Sequence, residues 1–431
     1  MFVVMWVVQG LSLVGSVLVE FSLGVYVFQR TGSATQFALI EVCIVVPMIV
    51  FMPFAGAFAD RYSRRLLMIV ANLGGATTIA VVAGLLAAGA LQVWMVYPVT
   101  LLVSMCNVLL IPAYGASTPA LVPKRWLSRA NGFTTFVQNV ATVAAPPLAA
   151  VLLAAIHLEG VVLIDLATFL VAAAVLVPLT IPQPRAEGEP ATPNLLREAT
   201  DGLSYIVPRR GLLSLLLFFT VVNVTAGFVQ ALFTPMALTF ATVSQLSVTV
   251  AVMSSGLIVG AVLMMVWGGP KRRVNGVLAA GLVLGLAVVV IGARPSLPAM
   301  AVGGMALTIA ATVANVCNAT LWYSRVPQAL LGRVLGSMQT IAFLAIPVTV
   351  LVVGPLADHV FVPLLRPGGA LAGSVGLVLG VGPGRGMGML LVLGGLLSVG
   401  NAVAGWFNRP LRALDDEPAE HAPAEPAASP A

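Results

Sequence analysis

The sequence predicts an all-α integral membrane protein whose twelve transmembrane helices form two six-helix, pseudo-symmetric bundles. Three observations predict the membrane helices and their number, and an internal repeat predicts the two halves. Of 431 residues, 59% are hydrophobic and only 8% charged, whereas a soluble domain carries about 25% charged residues. The chain divides into twelve apolar runs of the roughly 20 residues that a helix needs to cross a bilayer. Its basic residues gather in alternate connections between those runs, as orientation in a membrane requires. A water-soluble enzyme, a disulfide scaffold and a disordered chain are excluded, because a soluble fold of this length needs far more polar surface.

The first run, 3–28, has no basic stretch before it and no small-residue cleavage site, so it reads as a retained helix and not as a secretory signal. Runs 34–57, 67–90, 92–118, 130–156 and 160–181 complete a first bundle over residues 1–181. Residues 182–210 are the one long polar interruption. A Pro/Glu-rich piece from Pro182 to Pro190 is followed by Leu195, Leu196, Ala199, Leu203 and Ile206 at helical spacing. This is a linker with an amphipathic helix lying on the inner membrane surface. Runs 211–236, 245–268, 276–293, 297–322, 334–357 and 384–407 form a second bundle over 211–408. Between the last two, Pro355 to Leu365 and a Gly-rich stretch to Gly386 read as an outer connector or as a lid. Residues 409–431 end in an Ala/Pro/acid tail, which is expected to be disordered because it cannot bury enough apolar area.

An even span count puts both termini on one side. With that side cytoplasmic, only Arg30, Arg294, Arg366 and Arg385 of the 21 Lys and Arg fall outside. That is the asymmetry of the positive-inside rule, and the +6 net charge is accounted for as topology, with no nucleic-acid partner implied. Lysine occurs only at Lys124 and Lys271. This skew towards arginine, with the Ala/Val/Gly richness, points to a GC-rich bacterial genome and so to a multi-pass protein of the bacterial cytoplasmic membrane. Cys43, Cys106 and Cys317 all sit in apolar runs and read as small hydrophobes.

The two halves echo each other. Val122-Pro123, Leu127, Arg129 and Gly132 recur as Val326-Pro327, Leu331, Arg333 and Gly336 at an offset of 204, in matching loops between fourth and fifth spans. Arg64-Arg65 is matched by Lys271-Arg272-Arg273. After the second span the chain reads Gly56-Ala-Phe-Ala-Asp60-Arg61-Tyr62-Ser63-Arg64-Arg65. This resembles the signature loop of the major facilitator superfamily, Gly-x-Leu-x-Asp-Arg-x-Gly-Arg-Arg/Lys, with Phe58 and Ser63 departing from it. Together with Trp267-Gly-Gly-Pro-Lys-Arg-Arg273, it is most similar to the macrolide-efflux-like branch of exporters.

The resemblance implies two bundles that rock about a central site, with Gly56, Asp60, Arg61, Arg64 and Arg65 as a cytoplasmic gate. Charge contacts made in only one conformation would bias the inward-open to outward-open equilibrium. Read without the resemblance, the arginines are also topology anchors. The Gly/Pro run expected of exporters in the fifth span appears as Ala144-Ala145-Pro146-Pro147-Leu148-Ala149, which keeps the prolines but lacks glycine.

Polar groups within the spans nominate the working residues. Gln9, Ser12, Ser16 and Glu20 lie within about 80° of one another on a helix. A polar stripe on an apolar helix faces a cavity or a packed neighbour, not lipid. Glu41 and Asp165 join Glu20 in the outer half of the first bundle. Ionisable groups at such depth cost a few kcal/mol or more, so these three are candidates for proton or cation coupling; hydrogen-bonded helix packing is the structural alternative. Candidates for a substrate cavity are Gln9, Ser16, Tyr97, Asn107, Asn223, Gln230, Asn315, Asn318 and Trp322, grouped by helix face, and interhelical hydrogen bonding would explain each one equally well.

No basic residue lies deep in a span, which disfavours an anionic substrate. There is no His-Glu-x-x-His, Gly-x-Ser-x-Gly or Gly-x-x-x-x-Gly-Lys motif, so no catalytic set, metal or cofactor is expected. The chain is read as a monomeric secondary transporter, not an enzyme, exporting a drug-like or secondary-metabolite small molecule, with protons and the lipid bilayer as its other partners. Uptake of a neutral nutrient and a non-transporting membrane sensor are the alternatives.

Overall fold

A computed structural model describes residues 2–121, 127–179, 203–327 and 330–416. Among them every regular element is helical, and no strand occurs. The long helices are α1 (Phe2–Thr31), α2 (Ala34–Arg61), α3 (Arg64–Ala87), α4 (Val93–Leu121) and α5 (Leu127–Leu176). They continue as α6 (Arg210–Leu238), α7 (Val243–Trp267), α8 (Arg273–Ala293), α9 (Leu297–Arg325), α10 (Leu331–Leu356) and α11 (Arg385–Phe407). Among the described residues eleven helices are long and apolar enough to cross a membrane, one short of the twelve predicted.

The difference lies in α5. Its 50 residues would run about 75 Å at a rise of ~1.5 Å per residue, more than twice the roughly 30 Å hydrocarbon core. The helix is broken at His157, whose backbone stands at φ 55° and ψ −174°. That position falls in the gap between predicted runs 130–156 and 160–181, so the single long element contains both spans. The fold is the all-helical one expected.

Local chemistry explains the boundaries. Ser33 caps α2, its hydroxyl accepting from the Gln36 amide at 3.2 Å, and Ser63 caps α3 in the same way, satisfying donors that a helix start leaves orphaned. Gly32 takes φ 63° between α1 and α2, and Gly89 takes the same value after α3. Both lie in the left-handed region that a side chain resists.

The chain divides into two compact units with interleaved bounds. The first comprises residues 1–191, 230–254 and 350–387. Its core is Leu18, Val19, Leu23 and Val27 of α1 packed with Ile79 and Val82 of α3, Val96, Val99 and Val103 of α4, and Val161, Val162 and Phe169 of α5. A second cluster, Met5, Met68, Ala113 and Leu176, closes the other end of the same helices. The stretch beyond α10 is ordered in this unit. A π-helical turn over Ala357–Phe361 leads through Val362–Leu364 to a short helix at Val375–Leu379. Arg385, nearly buried, donates to the Leu379 carbonyl at 2.7 Å.

The second unit comprises 192–229, 255–349 and 388–431. Here α8 and α11 cross backbone to backbone: a Cβ built on Gly285 would lie 2.7 Å from the Gly395 carbonyl oxygen, and one on Gly395 would lie 2.6 Å from that of Gly285. Small residues permit such approach in membranes. Order continues past α11 into a short helix, α12 (Arg409–Ala413), capped by Asn408. Asp415 then accepts from the amides of Arg273 and Val274 at the start of α8. The Val122–Arg125 part of the first loop repeat, most of the linker and the end of the tail lie outside the described residues.

Candidate functional site

The polar stripe of α1 is the starting point. Ser12 and Ser16 are buried, and Gln9 is half-buried with its Nε2 withdrawn from solvent and lacking a hydrogen-bond partner among the described residues. The stripe therefore turns into the first unit, as its spacing predicts.

One turn beyond Ser16, Glu20 enters a cavity of about 300 Å³. Glu41 of α2 enters the same cavity. There the Gln230 side-chain amide of α6 donates to Glu41 Oε2 at 2.8 Å, across 189 residues of chain. Val17, Phe21, Phe37, Ile40, Ile44 and Val250 give it an apolar wall, with Pro146 of α5 and the hydroxyl-bearing Thr234 and Ser254. The volume is at the lower end of the ~300–1,000 Å³ usual for small-molecule sites, and a few convergent polar groups on an apolar wall are the usual composition. Three residues singled out from the sequence are thus brought together. Thr234 and Ser254 were missed, since isolated hydroxyls in apolar runs carry no distinguishing pattern.

Asp165 is the third acid. It is fully buried, packs against Gly15 of α1, and stands within electrostatic reach of Glu20. Its Oδ2 has no hydrogen-bond partner among the described residues. Glu20 thus lies within reach of both other carboxylates, although the three come from separate spans.

The remaining candidates disperse. Tyr97 donates to the Gln36 carbonyl at 3.4 Å and Asn107 is half-buried on α4. In the second unit Asn223 is half-buried and Asn315 exposed. Asn318 accepts from the buried Trp322 indole at 3.0 Å, so those two satisfy each other within α9.

Of the signature loop, Gly56, Asp60 and Arg61 fall in the last turns of α2, with side chains outside the described residues. Arg65 is described. Its Nε donates to the Leu176 carbonyl at 3.0 Å and its Nη2 to the Val177 carbonyl. A guanidinium at a helix C-terminus satisfies orphan carbonyls and opposes the negative end of the helix dipole.

A further polar contact was not anticipated. Asp358, in the π-helical turn after α10, accepts from the Ser33 hydroxyl at 2.6 Å and the Thr35 hydroxyl at 2.6 Å. It also accepts from the backbone amides of Ala34 at 3.1 Å and Thr35 at 2.9 Å. A carboxylate from 325 residues away caps the start of α2, where the helix dipole favours negative charge. The signal in the sequence was an acid at the edge of an apolar span and a Ser-x-Thr at a predicted helix start; nothing local paired them. Gly354 brings the backbones close, since a Cβ there would lie 2.9 Å from Thr35 Cα. No cluster able to hold a metal ion occurs among the described residues.

Comparison with known proteins follows the same lines. A family model for the Major Facilitator Superfamily matches residues 5–350. The macrolide efflux protein A of Streptococcus pyogenes is 26% identical over 367 residues, covering 83% of this chain and 90% of that protein. Its namesake from Enterococcus faecalis is 26% identical over 311 residues, covering 70% and 95%. Among solved structures, a nucleoside transporter aligns with a TM-score of 0.70 at 11% identity, covering 94% of this chain and 98% of that one. A bacterial homologue of the human lysosomal transporter Spinster aligns at 0.68 and 14%, covering 96% of each. At these identities the structures speak to fold alone.

Proposed function

The chain belongs to the Major Facilitator Superfamily, and from that premise we propose that it exports a drug-like or secondary-metabolite molecule by alternating access, driven by proton antiport. The observation that carries the proposal is the apolar cavity into which Glu20, Glu41 and Gln230 converge. An acid withdrawn from water needs a proton or a counter-charge. A proton and a cationic group on the substrate therefore compete for the same carboxylates, and that competition is the simplest coupling of opposite fluxes. Gln230 holds Glu41 in orientation, while the aromatic and aliphatic wall takes the apolar body of the substrate. Asp165 serves as a nearby proton acceptor.

Relatives named for macrolide efflux over most of the chain support the outward direction and a large amphipathic substrate. The distribution of basic residues supports an orientation with both termini inside, and the bacterial relatives support a place in the bacterial cytoplasmic membrane; the working unit is taken as the monomer. The loop from Gly56 to Arg65 acts as the cytoplasmic gate, and two bundles, residues 1–181 and 211–408, rock about the site.

Proteoliposomes loaded with a fluorescent amphipathic amine test this. An imposed pH gradient is expected to accelerate transport by the native protein. Glu20→Gln together with Glu41→Gln should abolish that acceleration. Full gradient-driven transport by the double variant sinks the coupling proposal, and net uptake in vesicles of known orientation sinks the export direction.

A further inference from the structure

We infer that the second unit carries a binding site for an anionic phospholipid, formed by a groove along α8 and α9 with a basic, tryptophan-flanked mouth. The groove has a volume of about 580 Å³. Its floor is recessed because the residues there are small: Gly276, Ala279 and Ala280 on α8 face Ala306 and Ala310 on α9. Between Asn275 and Val283, both of which line it, α8 rises about 12 Å at ~1.5 Å per residue. This approaches the roughly 15 Å thickness of one leaflet's hydrocarbon. A groove of this kind in a bilayer is filled by the apolar material at hand, an acyl chain, since an empty one forfeits its dispersion contacts.

The mouth identifies the headgroup. Trp267 at the end of α7 and Trp406 near the end of α11 both line the groove and are 55% and 39% exposed. Indole rings favour the membrane–water interface, which sets this end at headgroup depth. Pro270 also lines the groove, and Lys271-Arg272 follow it directly. Arg272 is held by Asp416 at 3.3 Å on the surface. Lys271 is exposed and makes no hydrogen bond or ion pair among the described residues. An exposed lysine directly after a groove-lining proline, on the same short turn as an interfacial tryptophan, together with an acyl-sized groove matches a phosphatidylglycerol-type headgroup, and basic pockets between membrane helices recognise such lipids. A zwitterionic lipid offers the same tail without the net charge.

The test uses the purified full-length protein in detergent micelles doped with dibromo-phosphatidylglycerol or dibromo-phosphatidylcholine, whose bromines quench nearby indoles. Half-maximal quenching is expected at a mole fraction about fivefold lower for the glycerol lipid. That preference should vanish in Lys271→Gln. The lipid-selective part of the quenching should disappear in the Trp267→Phe/Trp406→Phe double variant, and Ala279→Phe, which fills the groove from an exposed position, should weaken quenching by both lipids. Equal quenching of the native protein by the two lipids overturns the inference. So does a preference that survives in Lys271→Gln or in the double tryptophan variant.

Discussion

Asp358→Ala perturbs a contact whose strength can be worked out from its geometry. Four donors converge on one half-buried carboxylate, two hydroxyls at 2.6 Å and two backbone amides at 2.9 and 3.1 Å. Hydrogen bonds to a charged group contribute roughly 1.5–3 kcal/mol each, and loss of a helix cap alone costs about 1 kcal/mol. The bonds share one acceptor group and water replaces part of what is lost, so the sum is discounted to about 3 kcal/mol. At ~1.4 kcal/mol per decade, this corresponds to roughly a hundredfold rise in opening at the start of α2. Hydrogen exchange resolved to the amides of Ala34 and Thr35 reads it directly, since both are donors to Asp358. Asp358→Asn keeps one acceptor oxygen without the charge and is expected to fall near tenfold. Exchange in Asp358→Ala within twofold of the native protein would refute the reasoning: α2 offers these first-turn amides no acceptor of its own, so their protection would not come from the carboxylate.

Two further predictions concern backbone geometry. His157→Gly should raise thermal stability by about 1 kcal/mol, because a non-glycine residue at φ 55° and ψ −174° holds roughly 1–3 kcal/mol of strain against a smaller entropic cost of glycine; a lowered melting temperature contradicts the strained break. Gly285→Val should cost more than about 3 kcal/mol, since the new Cβ meets the Gly395 carbonyl oxygen at 2.7 Å and backbone cannot move aside as a side chain can. Size-exclusion profiles of the purified variant check this, and a monodisperse peak of native stability counts against so close a crossing.

Much of the fold was legible in the sequence. Predicted run 276–293 corresponds to a helix at Arg273–Ala293, 297–322 to Leu297–Arg325, and 384–407 to Arg385–Phe407. Each boundary follows from a local balance of apolar length, charge and capping. The separation of the fifth and sixth spans was also legible, as a short gap around His157. The site was legible only as a set of nominations. Glu20 and Glu41 stood out because ionisable groups at depth are costly, and both enter one cavity. Asn318 and Trp322 were nominated for a substrate cavity because they share a helix face, and they bond each other. Arg65, nominated as part of a gate, has partners that no local pattern indicated, the carbonyls at the end of α5. Asp358 was read as part of a connector or lid, although its carboxylate fastens that connector to α2.

The sequence by itself therefore determined that the chain lies in a membrane, where its helices start and stop, and which few charges need an explanation. These are sums of local free energies over about 20 residues, and a one-dimensional reading can add them. Which polar groups meet was decided by the tertiary structure alone. The partners of Glu41 and Asp358 lie 189 and 325 residues away, and the partner of each is chosen by how helices of nearly uniform hydrophobicity pack. In such helices the apolar pattern carries little information about which face meets which neighbour. The shape of small residues such as Gly285, Gly354 and Gly395 sets the approach, and only then does a hydrogen bond find its acceptor.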